Sequence, residues 1–144
     1  MATARLYGKF PVSLMNGKIN FSADTVKVML CTSSYTPNQD THQWKSDVTN
    51  EVTGTGYTAG GATISPITVS YDSSTNKASF DGADAAWPSS TITARYAVIY
   101  DSTPATDATR PLIGYVDFLG DISSTAATFG VVWDAAGIAY VTVT

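Results

Sequence analysis

Thr93-Ala94-Arg95-Tyr96-Ala97-Val98-Ile99-Tyr100 and Pro111-Leu112-Ile113-Gly114-Tyr115-Val116-Asp117-Phe118-Leu119 decide the fold. Both stretches are short, rich in β-branched and aromatic residues, and bounded by Pro, Asp, Ser and Gly, which is how strands read. Around Val98 and Ile99 apolar side chains leave the backbone in both directions. Such a strand needs cover on both faces, so it belongs inside a sheet with a further layer packed on it. The link from Asp101 to Arg110 holds Pro104, two Asp and three Thr. It reads as a surface loop.

Outward from this pair the pattern stays β. Val26, Val28 and Leu30 alternate with Lys27, Met29 and Cys31, a strand over Thr25–Thr32 with one face in the core. Ile64, Ile67, Val69 and Tyr71 belong to one strand, with Pro66 marking an edge or a bulge. Asp72–Asn76 is a turn and Lys77–Phe80 the returning strand. Gly82–Ser90, with Trp87-Pro88, reads as a connection. Thr128–Trp133 and Ile138–Val143 read as a last hairpin closed by Asp134–Gly137. These seven strands with almost no helix predict an all-β fold, an antiparallel β-sandwich of seven to eight strands. Its expected core includes Val28, Leu30, Val69, Phe80, Val98, Ile99, Val116 and Val131.

Two segments lie outside this scheme. In the first, Leu6, Phe10 and Leu14 recur every four residues, as in a short helix begun at Pro11 and closed at Gly17. An extended arm is the other reading, because one or two turns of helix are marginal without packing. The second is Ser33–Gly61, a long polar loop pinned by Tyr35, Trp44, Val48, Val52 and Tyr57, with one helical turn near Trp44–Val48. Long loops in compact domains are usually functional surfaces.

A chain of 144 residues is most simply one domain. Within it the sequence divides into an N-terminal arm, residues 1–23, and a β-sandwich domain, residues 24–144. Charge marks the same division. Arg5, Lys9 and Lys18 give the arm +3, whereas five basic and twelve acidic residues give the remainder −7, making the chain's −4. An acidic body lacks the basic stripe of a nucleic-acid binder. Cys31 stands alone, so no intrachain disulfide can form, and its place inside a strand suits a buried, inert thiol. Residues 1–17 lack the apolar core of a signal peptide, and no run of about twenty apolar residues could span a bilayer. A reducing cytoplasm is the expected place of synthesis.

The motifs that could carry chemistry are weak. Gly54-Thr55-Gly56-Tyr57-Thr58-Ala59 matches a dinucleotide fingerprint in letters, but glycines and a β-rich run follow it where a helix is required. His42, the only histidine, has no nucleophile elbow and no Cys or His at ligand spacing, and reads as an exposed loop residue. Asp81 and Asp84, with Asp72, could surround Ca²⁺, yet turns routinely use Asp to bond their own backbone. Neither a catalytic residue, a metal site nor a cofactor is expected. Tyr35, Trp44, Tyr57 and Trp87 are candidates for self-association or for stacking on sugars, and Trp133 is expected in the core.

Met29-Leu30-Cys31-Thr32-Ser33-Ser34-Tyr35-Thr36-Pro37, the stretch Asp47–Gly61, and Thr91–Tyr100 with Pro111–Tyr115 resemble the small structural proteins of tailed-bacteriophage virions. The resemblance runs from Leu6 to the C-terminal strand, on framework residues and not on a catalytic signature. It implies a non-enzymatic capsid decoration (cement) protein, a homotrimer bound to the major capsid protein on the head exterior. It further implies a place in the virion, after assembly in the host cytoplasm, with neither nucleic acid nor membrane as partner. Arg5, Leu6, Tyr7, Lys9, Phe10, Leu14 and Lys18 would make the capsid contact. A tail-associated virion protein and a carbohydrate-binding β-sandwich module are the alternatives.

Overall fold

A computed structural model describes residues 2–144. Eight strands and one short helix follow in order: β1 (Thr3–Leu6), α1 (Phe10–Met15), β2 (Val26–Cys31), β3 (Ala62–Thr63), β4 (Ile67–Asp72), β5 (Lys77–Gly82), β6 (Ala85–Asp101), β7 (Leu112–Val131) and β8 (Ala139–Thr142), with a single 3₁₀ turn at Lys45–Asp47. They form two antiparallel sheets, one ordered β1-β7-β6-β2-β3 and the other β4-β5-β8. The expected all-β, sandwich-like fold is what forms.

The central pair is β6 and β7, joined by the polar loop that begins after Asp101. Val98 pairs with Tyr115 and Ala97 with Val116. Two apolar clusters explain the cover on both faces. Val26, Val28, Leu30, Ala97, Ile99 and Ile113 face the small sheet, meeting Phe80 and Ala139 there. Met29, Cys31, Val98, Tyr100, Leu112 and Tyr115 face the other way, under Tyr7 and Tyr35. β2 therefore departs from the one-sided strand that its alternation predicts. Both of its faces are buried, because the loop after Cys31 folds back over the sheet and bridges Glu51 to Cys31. Burying side chains of this size stabilises by about 1.5–3 kcal/mol each.

The central pair is longer than its sequence suggests. Ala85–Ala94 and Phe118–Val131 pair with each other and with no other named strand, as a ribbon running on beyond the sheet, and Thr91 alone adds a bridge to Thr55 of the long loop. So Gly82–Ser90 is no connection: β6 starts at Ala85 and includes Trp87-Pro88. The ladder slips between Trp87 and Ser90, with Ser89 at φ +50°. Proline, lacking an N–H, fits at such a bulge. The last hairpin is also corrected. Thr128–Val131 is the end of β7 and pairs with the start of β6, while β8 pairs with β5. The Asp134–Gly137 turn forms, with Ala136 N–H donating to Asp134 Oδ1 over 2.8 Å. It carries the chain from one sheet to the other. Similarly, the run from Ile64 to Tyr71 changes sheet at Pro66, β3 lying on β2 and β4 on β5.

The boundary at residue 24 divides a packed unit. β1 pairs with β7 from Thr3↔Asp117 to Leu6↔Gly114, and Tyr7, Phe10 and Ile19 are buried. The short helix forms as the Pro11 and Gly17 signals predict, with Gly17 at φ +67°. The four residues of β1 form a strand because the edge of β7 offers them hydrogen bonds, which no local pattern announces. Of the expected core, Val28, Leu30, Phe80, Val98, Ile99 and Val131 are buried and Val116 is half-buried. Val69 is 60% exposed, since the small sheet projects past the large one.

Candidate functional site

At one side of the sandwich the edges of the two sheets stand apart around a cleft of about 780 Å³. Ala4, Leu6 and Tyr115 line it from the large sheet, Tyr140 from the small one, and Trp133 and Ile138 from the link between β7 and β8. β1 and β8 are the terminal strands of their sheets here. Val143 N–H donates to Asn76 O, so the odd-numbered positions of β8 bond β5. By alternation, the backbone groups of Tyr140 and Thr142 face away from it.

Beside the cleft the small sheet carries apolar residues that nothing covers. Val69 lies opposite Phe80, Tyr71 and Val141 lie opposite Ala78, and Val143 follows two residues later. All four share the inward face of Phe80, yet each is more than half exposed. The outward face of the same sheet is polar, with Thr68, Ser70, Asp81 and Thr142, and with Lys77 Nζ 4.2 Å from the Tyr140 ring centroid. Met15 on α1, 79% exposed, adds a separate apolar point.

The residues that the sequence singles out scatter. Arg5 and Leu6 border the cleft. Lys9 is exposed, Leu14 half-buried, and Phe10 packs against Phe21 and Phe80 in the core. Lys18 holds its ammonium 5.5 Å from the Trp44 ring centroid, tying the N-terminal segment to the long loop. Tyr7 is fully buried and offers no surface to a partner. The same holds for Tyr35 and for Trp87, which is 5% exposed and stacks on Tyr57 at 5.8 Å. Tyr57 is half-buried, its hydroxyl donating to Glu51 Oε1 (2.8 Å) and accepting from Leu30 N–H (3.0 Å). Of the four aromatic candidates, Trp44 and Tyr57 keep partial exposure. Trp133 is half-buried against the core, its indole N–H bonded to Ala83 O at 2.9 Å.

His42 is a correction: it is half-buried and structural. Its Nδ1 accepts from the Tyr35 hydroxyl (2.9 Å) and from Asn38 N–H (3.4 Å), and Tyr7 completes the chain with its hydroxyl 2.8 Å from that of Tyr35. An acceptor Nδ1 places the proton of the neutral ring on Nε2. Burial pushes the Tyr7 and Tyr35 phenols above their ordinary range. It pushes the Cys31 thiol up to about 12, with Glu51 adding to the effect.

The remaining motifs serve the backbone. Gly56, Gly60 and Gly61 have positive φ, and β3 follows them where a dinucleotide site would need a helix. A Cβ on Gly61 would run into the Val28 carbonyl. Asp81 accepts from Gly82 N–H, Asp84 from Trp133 N–H, and Asp72 from Ser74 and Thr75. Among the described residues no three His, Cys, Asp or Glu side chains gather as metal ligands, and no helix is long and apolar enough to cross a membrane. The chain matches no family model, no curated protein and no solved structure.

Proposed function

We propose that this chain is a non-enzymatic virion structural protein of a tailed bacteriophage, decorating the head exterior as a homotrimer bound to the major capsid protein. The observation that carries the reading is the uncovered inward face of the small sheet, Val69, Tyr71, Val141 and Val143, beside an open cleft. Contiguous exposed apolar surface marks a macromolecular contact. The resemblance of the framework stretches to virion proteins supplies the kind of neighbour. In this reading a second copy covers the apolar face, while the basic side chains Arg5, Lys9 and Lys18 steer docking on the capsid. Binding only to the assembled lattice stabilises it by mass action, many copies acting together.

The test uses purified protein and expanded heads. Co-sedimentation with heads and a raised temperature of capsid disruption are expected, with a trimer mass on or off the particle. Tyr71→Asp and Val141→Asp should weaken self-association, and Lys9→Glu with Lys18→Glu should weaken capsid binding while the fold persists. Recovery with tails alone would make it a tail component. Binding to a glycan array that depends on Trp44 would make it a carbohydrate-binding module.

A further inference from the structure

Sheet edges expose rows of N–H and C=O groups that another strand can pair with. Of the four terminal strands here, three are guarded. β3 is two residues long, and β4 follows Pro66 and ends on the charged Asp72. β1 carries Arg5, and its Leu6 carbonyl accepts from Gln39 Nε2 over 3.0 Å. β8 has no such device. Ala139-Tyr140-Val141-Thr142-Val143 holds no charge and no proline. It pairs with β5 without a bulge, from Phe80↔Ala139 to Lys77↔Thr142. The open cleft borders its other side, and Tyr140, Val141 and Val143 are each about half exposed.

The free groups of this edge are self-complementary. Because Val141 and Val143 bond β5, the N–H and C=O of Tyr140 and of Thr142 point away from it. Among the described residues none of these groups has a backbone partner elsewhere. In two β8 strands set antiparallel about a two-fold axis at Val141, Tyr140 of each copy stands opposite Thr142 of the other. Each such pair exchanges both of its hydrogen bonds, so no edge group of Tyr140 or Thr142 is left over. A shift of two residues either way sets Tyr140 or Thr142 against itself and matches the other to a residue outside the strand. The side chains agree with the first register. Val141 meets Val141 and Ala139 meets Val143 on the inward apolar face, while Tyr140 meets Thr142 on the polar one. No like charges come together, since Lys77 lies in a row with Thr142 and then the second copy's Tyr140 and Ser79.

We propose that β8 pairs antiparallel with β8 of a second copy about a two-fold axis at Val141, joining two three-stranded small sheets into one continuous sheet. The pairing needs no capsid and does not rest on the virion reading. A two-fold axis does not relate copies within one ring of three, so in that reading it links one trimer to the next.

The experiment is disulfide cross-linking of the full chain through an introduced cysteine. Val141 faces itself in a non-hydrogen-bonded pair, where Cα atoms lie about 4.5 Å apart, within the span of a disulfide. Mild oxidation of Val141→Cys should therefore give a covalent dimer on a non-reducing gel. Val143→Cys is the control. Its counterpart lies four positions along the antiparallel pair, about 14 Å away at 3.4 Å per residue, so it should not cross-link. Adding Thr142→Pro to Val141→Cys removes an edge N–H that β5 does not use, so the fold should persist, by circular dichroism, while the cross-link is lost. Should that double variant not fold, the contrast between the two cysteine positions decides alone. Equal cross-linking of the two, no cross-link in folded Val141→Cys protein, or a cross-link that survives Thr142→Pro overturns the pairing. None of these outcomes depends on capsid binding, so failure of the pairing and failure of the virion reading are separately visible.

Discussion

The Tyr7 hydroxyl lies 2.8 Å from the Tyr35 hydroxyl, joining the N-terminal segment to the long loop across the buried outer face of the large sheet. Because His42 Nδ1 takes hydrogen bonds from both Tyr35 and Asn38, Tyr35 donates to the imidazole and Tyr7 donates to Tyr35. The order of donors sets the order of costs. Tyr35→Phe leaves the Tyr7 hydroxyl buried without an acceptor and should cost about 1–3 kcal/mol. Tyr7→Phe removes only the terminal donor and should cost about 1 kcal/mol. Urea unfolding of the two variants checks the ranking; equal losses would mean that water reaches the Tyr7 hydroxyl.

The same link bears on the N-terminal segment. Deleting residues 2–23 would strip β1 from β7 and remove Tyr7 from one apolar cluster and Phe10 and Ile19 from the other. The expected outcome is loss of cooperative unfolding and of near-ultraviolet circular dichroism. A truncated chain that unfolds cooperatively with native dichroism would restore the division at residue 24.

The sequence carries the fold class and the central pair because both rest on local pattern: Val98 and Ile99 are apolar in both directions, and the Asp72–Asn76 and Asp134–Gly137 turns have their own chemistry. What it does not carry is non-local. Trp133 follows an apolar strand end and precedes a turn, as a hairpin would require, yet the returning strand finds β5. The alternation of Val69 gives the correct face of its sheet, but how far one sheet overlaps the other decides whether that face is covered. The candidate surface is illegible for the same reason. Tyr35 and Trp87 lie in polar stretches that look like loops, and only the folded chain shows them under cover. The burial of Asp101 leaves no trace in the sequence, where Asp101 reads as the first residue of a surface loop.

Cys31 should be inert in the native protein. Its thiol is buried beneath the long loop and pushed up to about 12, first by burial and then by the Glu51 carboxylate, so almost no thiolate exists near neutral pH. Incubation with a disulfide reagent at pH 8 should leave it unmodified, and labelling should track global unfolding in urea. Fast labelling of folded protein would show that the loop opens locally, and it would loosen the account of the second cluster.

Asp117 gives the acid dependence of stability a sign. Arg95 Nε donates to its Oδ1 over 2.7 Å across the β6–β7 pair, and Leu119 N–H donates to the same oxygen over 2.7 Å. The bond from Arg95 leads in holding the Asp117 carboxyl below its ordinary range. A carboxyl whose pKa is lower folded than unfolded binds fewer protons in the native state. Its contribution is therefore complete above the unfolded value, near 4, and is lost as pH falls through the folded value. Asp117→Asn removes the charge at every pH, so the difference in stability between the two proteins isolates this group from the other acids. That difference should be largest at neutral pH and shrink below about pH 4. Urea midpoints from neutral pH downward measure it directly. Added salt should shrink the neutral-pH difference, since both side chains remain partly exposed. A difference that stays constant from neutral pH into the acid range would mean that the Asp117→Asn variant loses only the neutral hydrogen-bond geometry, and that the ion pair with Arg95 contributes nothing to holding the ribbon.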